Sequence, residues 1–158
     1  MKRLMVLCFL MAFCFAFAHA GISKIKSLKV VVTASIPSSA YIQDKDIKDA
    51  VVADLKAKLP KIVLKSDSDI ICEVRYSDDY KLSVMGNMYG SYYLAMLIKS
   101  EHRDFDKIAP SSRVYWERGV FMPMIDCKTL NASVKDNIGS FVDSFAADWL
   151  GDTKTNKK

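Results

Sequence analysis

The sequence has few of the residues on which enzyme active sites most often depend. It contains two histidines, four cysteines and six glycines in 158 residues. His19 lies in the apolar N-terminal run described below, so His102 alone remains for a Ser-His-Asp or Cys-His arrangement. No serine stands in a G-x-S-x-G elbow, and there is no glycine-rich phosphate loop. We therefore expect a protein that is not an enzyme and has no cofactor.

Metal ligands are equally sparse. Beyond the first 20 residues the chain has two cysteines and one histidine, too few for a tetrahedral zinc site. Spaced thioethers, which suit Cu(I), occur at Met85 and Met88 and again at Met122 and Met124. Methionine also fills irregular cores, and we favour that role here. The sequence thus predicts no metal site.

The longest apolar run lies at the N-terminus. Lys2 and Arg3 precede an uncharged segment, residues 4–17, which is followed by Ala18-His19-Ala20. A basic start, an apolar run and small residues at its end are typical of a secretory signal peptide, here cleaved after Ala20. A run of about 14 residues is shorter than the ~20 that a membrane-spanning helix needs. We predict a signal peptide at 1–20 and a periplasmic or secreted protein.

Export changes the charge balance and the expected partners. Loss of Lys2 and Arg3 lowers the formal charge from +5 to +3, and no basic stripe with interleaved aromatics remains for nucleic acid. Lipid attachment is not expected, because bulky residues precede both cysteines of the apolar run. No later segment is long enough to span a membrane. We predict a single domain over 21–152 and a flexible basic tail at 153–158.

Cys72 and Cys127 are the cysteines that follow the predicted cleavage site. In an oxidising compartment two thiols more often pair than stay free, so we predict a disulfide between them. A loop of this size would stabilise the fold by roughly 4 kcal/mol. The alternative is two unrelated cysteines, one facing the core from a strand and the other free in a loop.

Hydrophobic periodicity predicts a two-layer α/β (α+β) sandwich. Helical spacing of apolar residues marks helices at 44–59 and 129–150. Period-two alternation and β-branched residues mark strands at 27–36, 70–76, 80–84, 92–98 and 113–121, with a short edge strand at 62–64. We predict a turn at 77–79 and loops near Gly90 and over 101–112. The expected order is β-α-(β)-β-β-β-α, with a mixed sheet of four to five strands and two helices.

This order resembles a group of known domains. The segments that carry the likeness are KIVLKSDSD, DIICEVRYSDDYKLSV, YYLAMLIK, VYWE and the closing VKDNIGSFVDSFAADWL. In that order they look like the small periplasmic α/β domains of envelope-assembly proteins, such as the N-terminal domain of the Tol-system propeller protein and domains of outer-membrane lipoproteins. The likeness covers most of the chain after the signal peptide. It implies a binding or assembly module without a catalytic site.

The apolar strand at 92–98 suggests where a partner binds. If both helices cover one side of the sheet, Tyr93, Ala95 and Leu97 form an exposed apolar patch on the other. The alternative is that helices or loops cover both sides. We predict an envelope protein that binds a protein partner or a second copy of itself. The alternative function is a small-ligand or metal carrier that uses residues 85–97, with Met88 and Tyr92 at its site.

Overall fold

The computed structural model of the chain describes residues 21–34, 42–84, 87–102 and 111–155. The predicted signal peptide, Met85 and residues 156–158 of the predicted tail lie outside this part of the chain. In chain order the elements are a 3₁₀ turn Ile22–Lys24, β1 Ser27–Ala34, α1 Asp44–Lys58, β2 Val63–Leu64, β3 Ile70–Val84, β4 Asn87–His102, β5 Ser111–Asp126 and α2 Leu130–Thr155.

The strands form one mixed sheet in the order β2-β1-β3-β4-β5. β1 runs parallel to both β2 and β3, which agrees with the crossover through α1. β3, β4 and β5 are antiparallel to one another. The predicted class and element order are therefore confirmed, including the two-residue strand at the edge.

Both helices follow the periodicity that predicted them. α1 buries Ile47, Val51 and Leu55, four residues apart, and ends one residue before Leu59 and Pro60. α2 buries a longer stripe of the same kind: Leu130, Val134, Ile138, Phe141, Val142, Phe145 and Trp149. It runs to Thr155, beyond its predicted end at residue 150, since no proline follows to stop it.

The helices contact each other and pack on the same face of the sheet. Lys58 on α1 donates a hydrogen bond to the Gly139 carbonyl on α2 at 3.1 Å and forms an ion pair with Asp143 at 2.7 Å. Buried residues of both helices join those of β1, β3, β4 and β5 in one hydrophobic core. At its centre Phe145 meets the ring of Trp116 edge to face, with ring centroids 5.5 Å apart.

β3 and β4 form a much longer hairpin than predicted, and the predicted turn at 77–79 is wrong. Asp78 pairs with Tyr92 inside the ladder, and strand pairing continues to Val84 with one irregularity between Tyr80 and Leu82. Asp78 is tolerated in a buried strand position because its carboxylate accepts a hydrogen bond from the Tyr76 hydroxyl at 2.7 Å. The loops predicted near Gly90 and over 101–112 are likewise shortened by β4 and β5.

β5 forms one edge of the sheet. It spans 16 residues and pairs with β4 alone. Its register shifts twice, between Ile98 and Lys99 of β4 and again between Gly90 and Tyr92. Between these two irregularities the pairing is regular, from Trp116 opposite Ile98 to Met122 opposite Tyr92.

The predicted disulfide is not formed, and both Cys72 and Cys127 are free, buried thiols. Cys72 lies opposite Ile98 on β4, whereas the Cys127 backbone N–H donates to the carbonyl of Met88 at 3.0 Å. Met88 and Ile98 are ten residues apart on β4, so an extended strand separates the two sites by roughly 30 Å. A disulfide requires Cα atoms within about 7 Å.

We expect a reducing agent to leave the melting temperature of the folded protein unchanged. Cys72 resists thiol reagents because burial raises the pKa of its thiol to about 12, which leaves almost no thiolate at neutral pH. In the protein without residues 1–20, a thiol reagent should therefore react with both cysteines only after the protein is unfolded. A drop in melting temperature with reductant would contradict the structure.

Candidate functional site

One face of the sheet lies opposite the helices, and we call it the open face. Because side chains alternate along each strand, this face collects the residues between the core positions. They are Lys29, Val31 and Thr33 on β1, Ile71, Glu73 and Arg75 on β3, Tyr93, Ala95 and Leu97 on β4, and Glu117, Gly119 and Phe121 on β5.

The predicted patch on this face is only partly exposed. Tyr93 is 41% exposed, but Ala95 is 0% and Leu97 is 4% exposed, so the predicted exposure of the latter two is wrong. Ala95 lies opposite Gly119, and the Tyr93 hydroxyl is only 3.3 Å from where a Gly119 Cβ would stand. The missing side chain at Gly119 lets the tyrosine lie across the strand beside Ala95.

Besides Tyr93, the second exposed apolar residue on the open face is Phe121, and not Ala95 or Leu97. It lies directly opposite Tyr93 on β5 and is 62% exposed. Opposed residues in an antiparallel pair are neighbours, so Tyr93 and Phe121 place two exposed aromatic side chains at this end of the open face. Sequence periodicity could have indicated it, because Trp116 faces the core and Phe121, five residues later, faces the other way.

Glu73 is the centre of a charged network on the open face. One of its oxygens, Oε2, accepts from Arg75 Nε at 2.9 Å and forms ion pairs with Arg75 Nη2 at 2.8 Å and Lys99 Nζ at 3.2 Å. Its other oxygen accepts from the Thr33 hydroxyl at 3.3 Å. Burial alone raises the pKa of this carboxyl, but the hydrogen bonds and charges of Arg75 and Lys99 outweigh burial and lower it.

Arg75 is held in place while remaining accessible. Two of its five N–H donors point at Glu73, and its side chain is 49% exposed. Across the sheet it lies opposite Ala95, one row from the Tyr93 and Phe121 pair. The open face therefore presents a fixed guanidinium beside two exposed aromatic rings. Sequence reasoning did not identify Arg75, because its position depends on strand register.

The residues of the alternative carrier site are four positions apart on β4, roughly 13 Å along the strand. Tyr92 faces α2 and is buried, and its hydroxyl lies 2.8 Å from Ser133 Oγ and accepts from Asn137 Nδ2 at 2.7 Å. Met88 is exposed near the hairpin end. Three cavities bordered by described residues lie elsewhere in the fold, and none is lined by residues 85–97. Tyr92 is thus a packing residue.

The residues that the structure describes contain neither a cluster of metal ligands nor a membrane-spanning helix. Within residues 21–34, 42–84, 87–102 and 111–155, no three His, Cys, Asp or Glu side chains gather closely enough to hold a metal ion. Neither helix described in those ranges combines the length and apolar character needed to cross a membrane.

Comparison with known proteins adds two remote structural likenesses. No protein-family model matches the chain, and no curated protein matches it in sequence. The chain is similar to a minor lipoprotein from Acinetobacter baumannii, at 14% identity and TM-score 0.42, over 79% of this chain and 95% of that one. It is also similar to the hypothetical protein CT253 from Chlamydia trachomatis, at 7% identity and TM-score 0.41, over 79% and 93%. At TM-scores this low, neither likeness indicates a function.

Proposed function

We propose that the chain is an exported envelope protein that acts by binding another protein through its open face, without catalysing a reaction. The observation that carries this proposal is the exposed pair Tyr93 and Phe121 beside the anchored Arg75. The N-terminal signal sequence supports export to the periplasm or the medium.

These residue types suit a binding surface for a physical reason. Tyrosine and arginine dominate the residues that contribute most to protein interfaces, and aromatic side chains are enriched there. Tyr93 lies across Gly119, and Arg75 is fixed by two contacts with Glu73. Side chains ordered before binding lose less entropy when the complex forms. The surface is therefore preorganised at Tyr93 and Arg75.

The charges of the open face indicate the chemistry of the partner. At the centre, Arg75 and Lys99 carry two positive charges against the single carboxylate of Glu73. Glu117, in the same row as Glu73, balances this pair of charges, but the Arg75 N–H donors that do not contact Glu73 favour a carboxylate on the partner. We propose a protein whose surface presents an apolar side chain to Tyr93 and Phe121 and an acidic residue to Arg75.

Site-specific photo-crosslinking in the native cells tests this proposal. A photoreactive amino acid at Phe121 should capture one partner, and mass spectrometry should map the link to an apolar segment next to an acidic residue. The matched control is the same group at Leu150, which is exposed on α2. The variant Arg75→Gln should lower the yield at Phe121 by about tenfold, which corresponds to loss of one important contact.

Three outcomes would overturn the proposal. The first is the same product from Leu150 as from Phe121. The second is a yield that Arg75→Gln leaves unchanged while circular dichroism shows an intact fold. The third is a link only to a second copy of the chain, which would replace the acidic partner by self-association. Leu97→Asp is unsuitable here, because a carboxylate at this buried position would unfold the domain.

A further inference from the structure

A cavity of about 410 Å³ lies at the end of the sheet where β1 and β3 begin. It is lined by three basic residues, Lys24, Lys26 and Arg113. Ile25, Ile70 and Tyr115 are its apolar and aromatic lining residues, and no acidic residue lines it. We call it the anion pocket. It is distant from the aromatic end of the open face, because Arg113 pairs with Ser100 whereas Phe121 pairs with Tyr93, and these two β4 residues are seven positions apart.

Arg113 is oriented by the aromatic ring beside it. Its guanidinium lies over the ring of Tyr115, 5.3 Å from the ring centroid. Arginine can contact an aromatic ring and still use its N–H donors, which lie in the plane of the guanidinium, to bind an oxyanion. Arginine held in this way binds phosphate with two parallel hydrogen bonds more readily than lysine does.

Ser100 lies behind the wall of the pocket. It stands between Ile70 and Arg113 in one row of the sheet, and both of these neighbours line the pocket. Ser100 itself does not line it, and its hydroxyl is buried with no hydrogen-bond partner among the described residues. The case for an anion therefore rests on the three basic residues and on the contact of Arg113 with Tyr115.

We infer that the anion pocket binds the phosphate group of a ligand that also has an apolar part. A phosphate carries close to two negative charges and three acceptor oxygens, which suit three cationic residues better than a single carboxylate does. The apolar walls accommodate the rest of the ligand. Cleavage after Ala20 would add the α-ammonium group of Gly21, which also borders the pocket.

Titration of the exported protein with phenyl phosphate tests the site, with inorganic phosphate as a weaker probe. NMR should show saturable shifts of the Ser100 and Arg113 amides. The double variant Lys26→Gln/Arg113→Gln should bind phenyl phosphate at least about tenfold more weakly. The charge-matched control Lys45→Gln/Arg118→Gln removes two positive charges from residues that do not line the pocket, and it should bind within about twofold of the native protein.

Ser100→Ala is a second control. Because the Ser100 hydroxyl is buried behind the pocket and has no partner among the described residues, the alanine variant should keep its melting temperature and bind phenyl phosphate within about twofold of the native protein. Absence of saturable binding would overturn the inference. An equal loss in both double variants would do so too, because it would show unspecific attraction to positive charge.

A second arm distinguishes the two sources of such a phosphate. Co-sedimentation with phosphatidylcholine vesicles that contain phosphatidylglycerol, and none with pure phosphatidylcholine, would identify a lipid headgroup when Lys26→Gln/Arg113→Gln abolishes it. Binding of phenyl phosphate without co-sedimentation would identify a soluble organic phosphate. Both results support the pocket. The crosslinking at Phe121 does not depend on it, so failure of one proposal leaves the other standing.

Discussion

Replacing Phe145 by alanine is expected to lower the free energy of unfolding by about 3–5 kcal/mol. Phe145 is fully buried at the point where α2 meets the sheet, and its ring contacts Trp116 edge to face. Alanine would remove these contacts and leave a cavity that the surrounding strands cannot fill, because they are fixed by their ladder hydrogen bonds. Urea unfolding followed by far-UV circular dichroism measures the loss.

Phe121→Ala is the matched control for this prediction. It removes the same side chain from a position that is 62% exposed on the open face. We expect a change of less than about 1 kcal/mol, the size of one cross-strand pair with Tyr93. Equal losses from the two variants would contradict the placement of Phe145 in the core and of Phe121 on the surface.

Replacing Glu73 by glutamine is expected to cost about 2 kcal/mol at pH 7. The amide cannot neutralise Lys99 and Arg75, and Lys99 is largely buried beside it. The loss stays below the 3–5 kcal/mol typical of a fully buried pair, because Arg75 is half exposed and can recover hydration. Glu117→Gln, on the same face but exposed, should change stability by less than about 0.5 kcal/mol.

The native protein and Glu73→Gln should also differ in how acid changes their stability. The pKa of Glu73 is lowered in the folded protein, whereas an unfolded glutamate titrates near pH 4.3. The stabilisation by Glu73 is therefore fully present above about pH 4.3 and is lost as the pH falls through the lowered folded value. Stability measured between pH 7 and pH 3 should fall more steeply for the native chain than for Glu73→Gln. Parallel curves would show that Glu73 makes no charge-dependent contribution.

The sequence was most informative where one face of an element meets the core. The stripe from Leu130 to Trp149 predicted α2 because helical spacing and burial coincide over five turns, and β1 and α1 were predicted for the same reason. The turn predicted at 77–79 was wrong because Ser-Asp-Asp is typical of a turn but lies within β3 here. Asp78 is buried there with a hydrogen bond from the Tyr76 hydroxyl, a partner that local sequence does not specify.

Features that depend on strand register could not be predicted. Cys72 and Cys127 are far apart because they lie beside two distant residues of β4, Ile98 and Met88, and their distance in sequence does not reveal this. The burial of Ala95 and the role of Gly119 follow from one cross-strand pairing. At the open face the sequence predicted Tyr93, and periodicity counted from Trp116 could have indicated Phe121. Arg75 and Glu73 were missed because only the register brings them into rows adjacent to Tyr93.

The edge formed by β5 affects how strongly the protein aggregates at high concentration. Among the described residues no strand pairs with the outer edge of β5, and a 16-residue edge of this kind is a template on which other chains could add strands and begin a fibril. Its two register irregularities and Pro123, which cannot donate a hydrogen bond, interrupt that template. What remains between them is the short run from Trp116 to Met122, with Glu117 and Arg118 near its start, and charges there make pairing with an incoming apolar strand unfavourable. The same strand can therefore display Phe121 to a partner without inviting uncontrolled growth of the sheet.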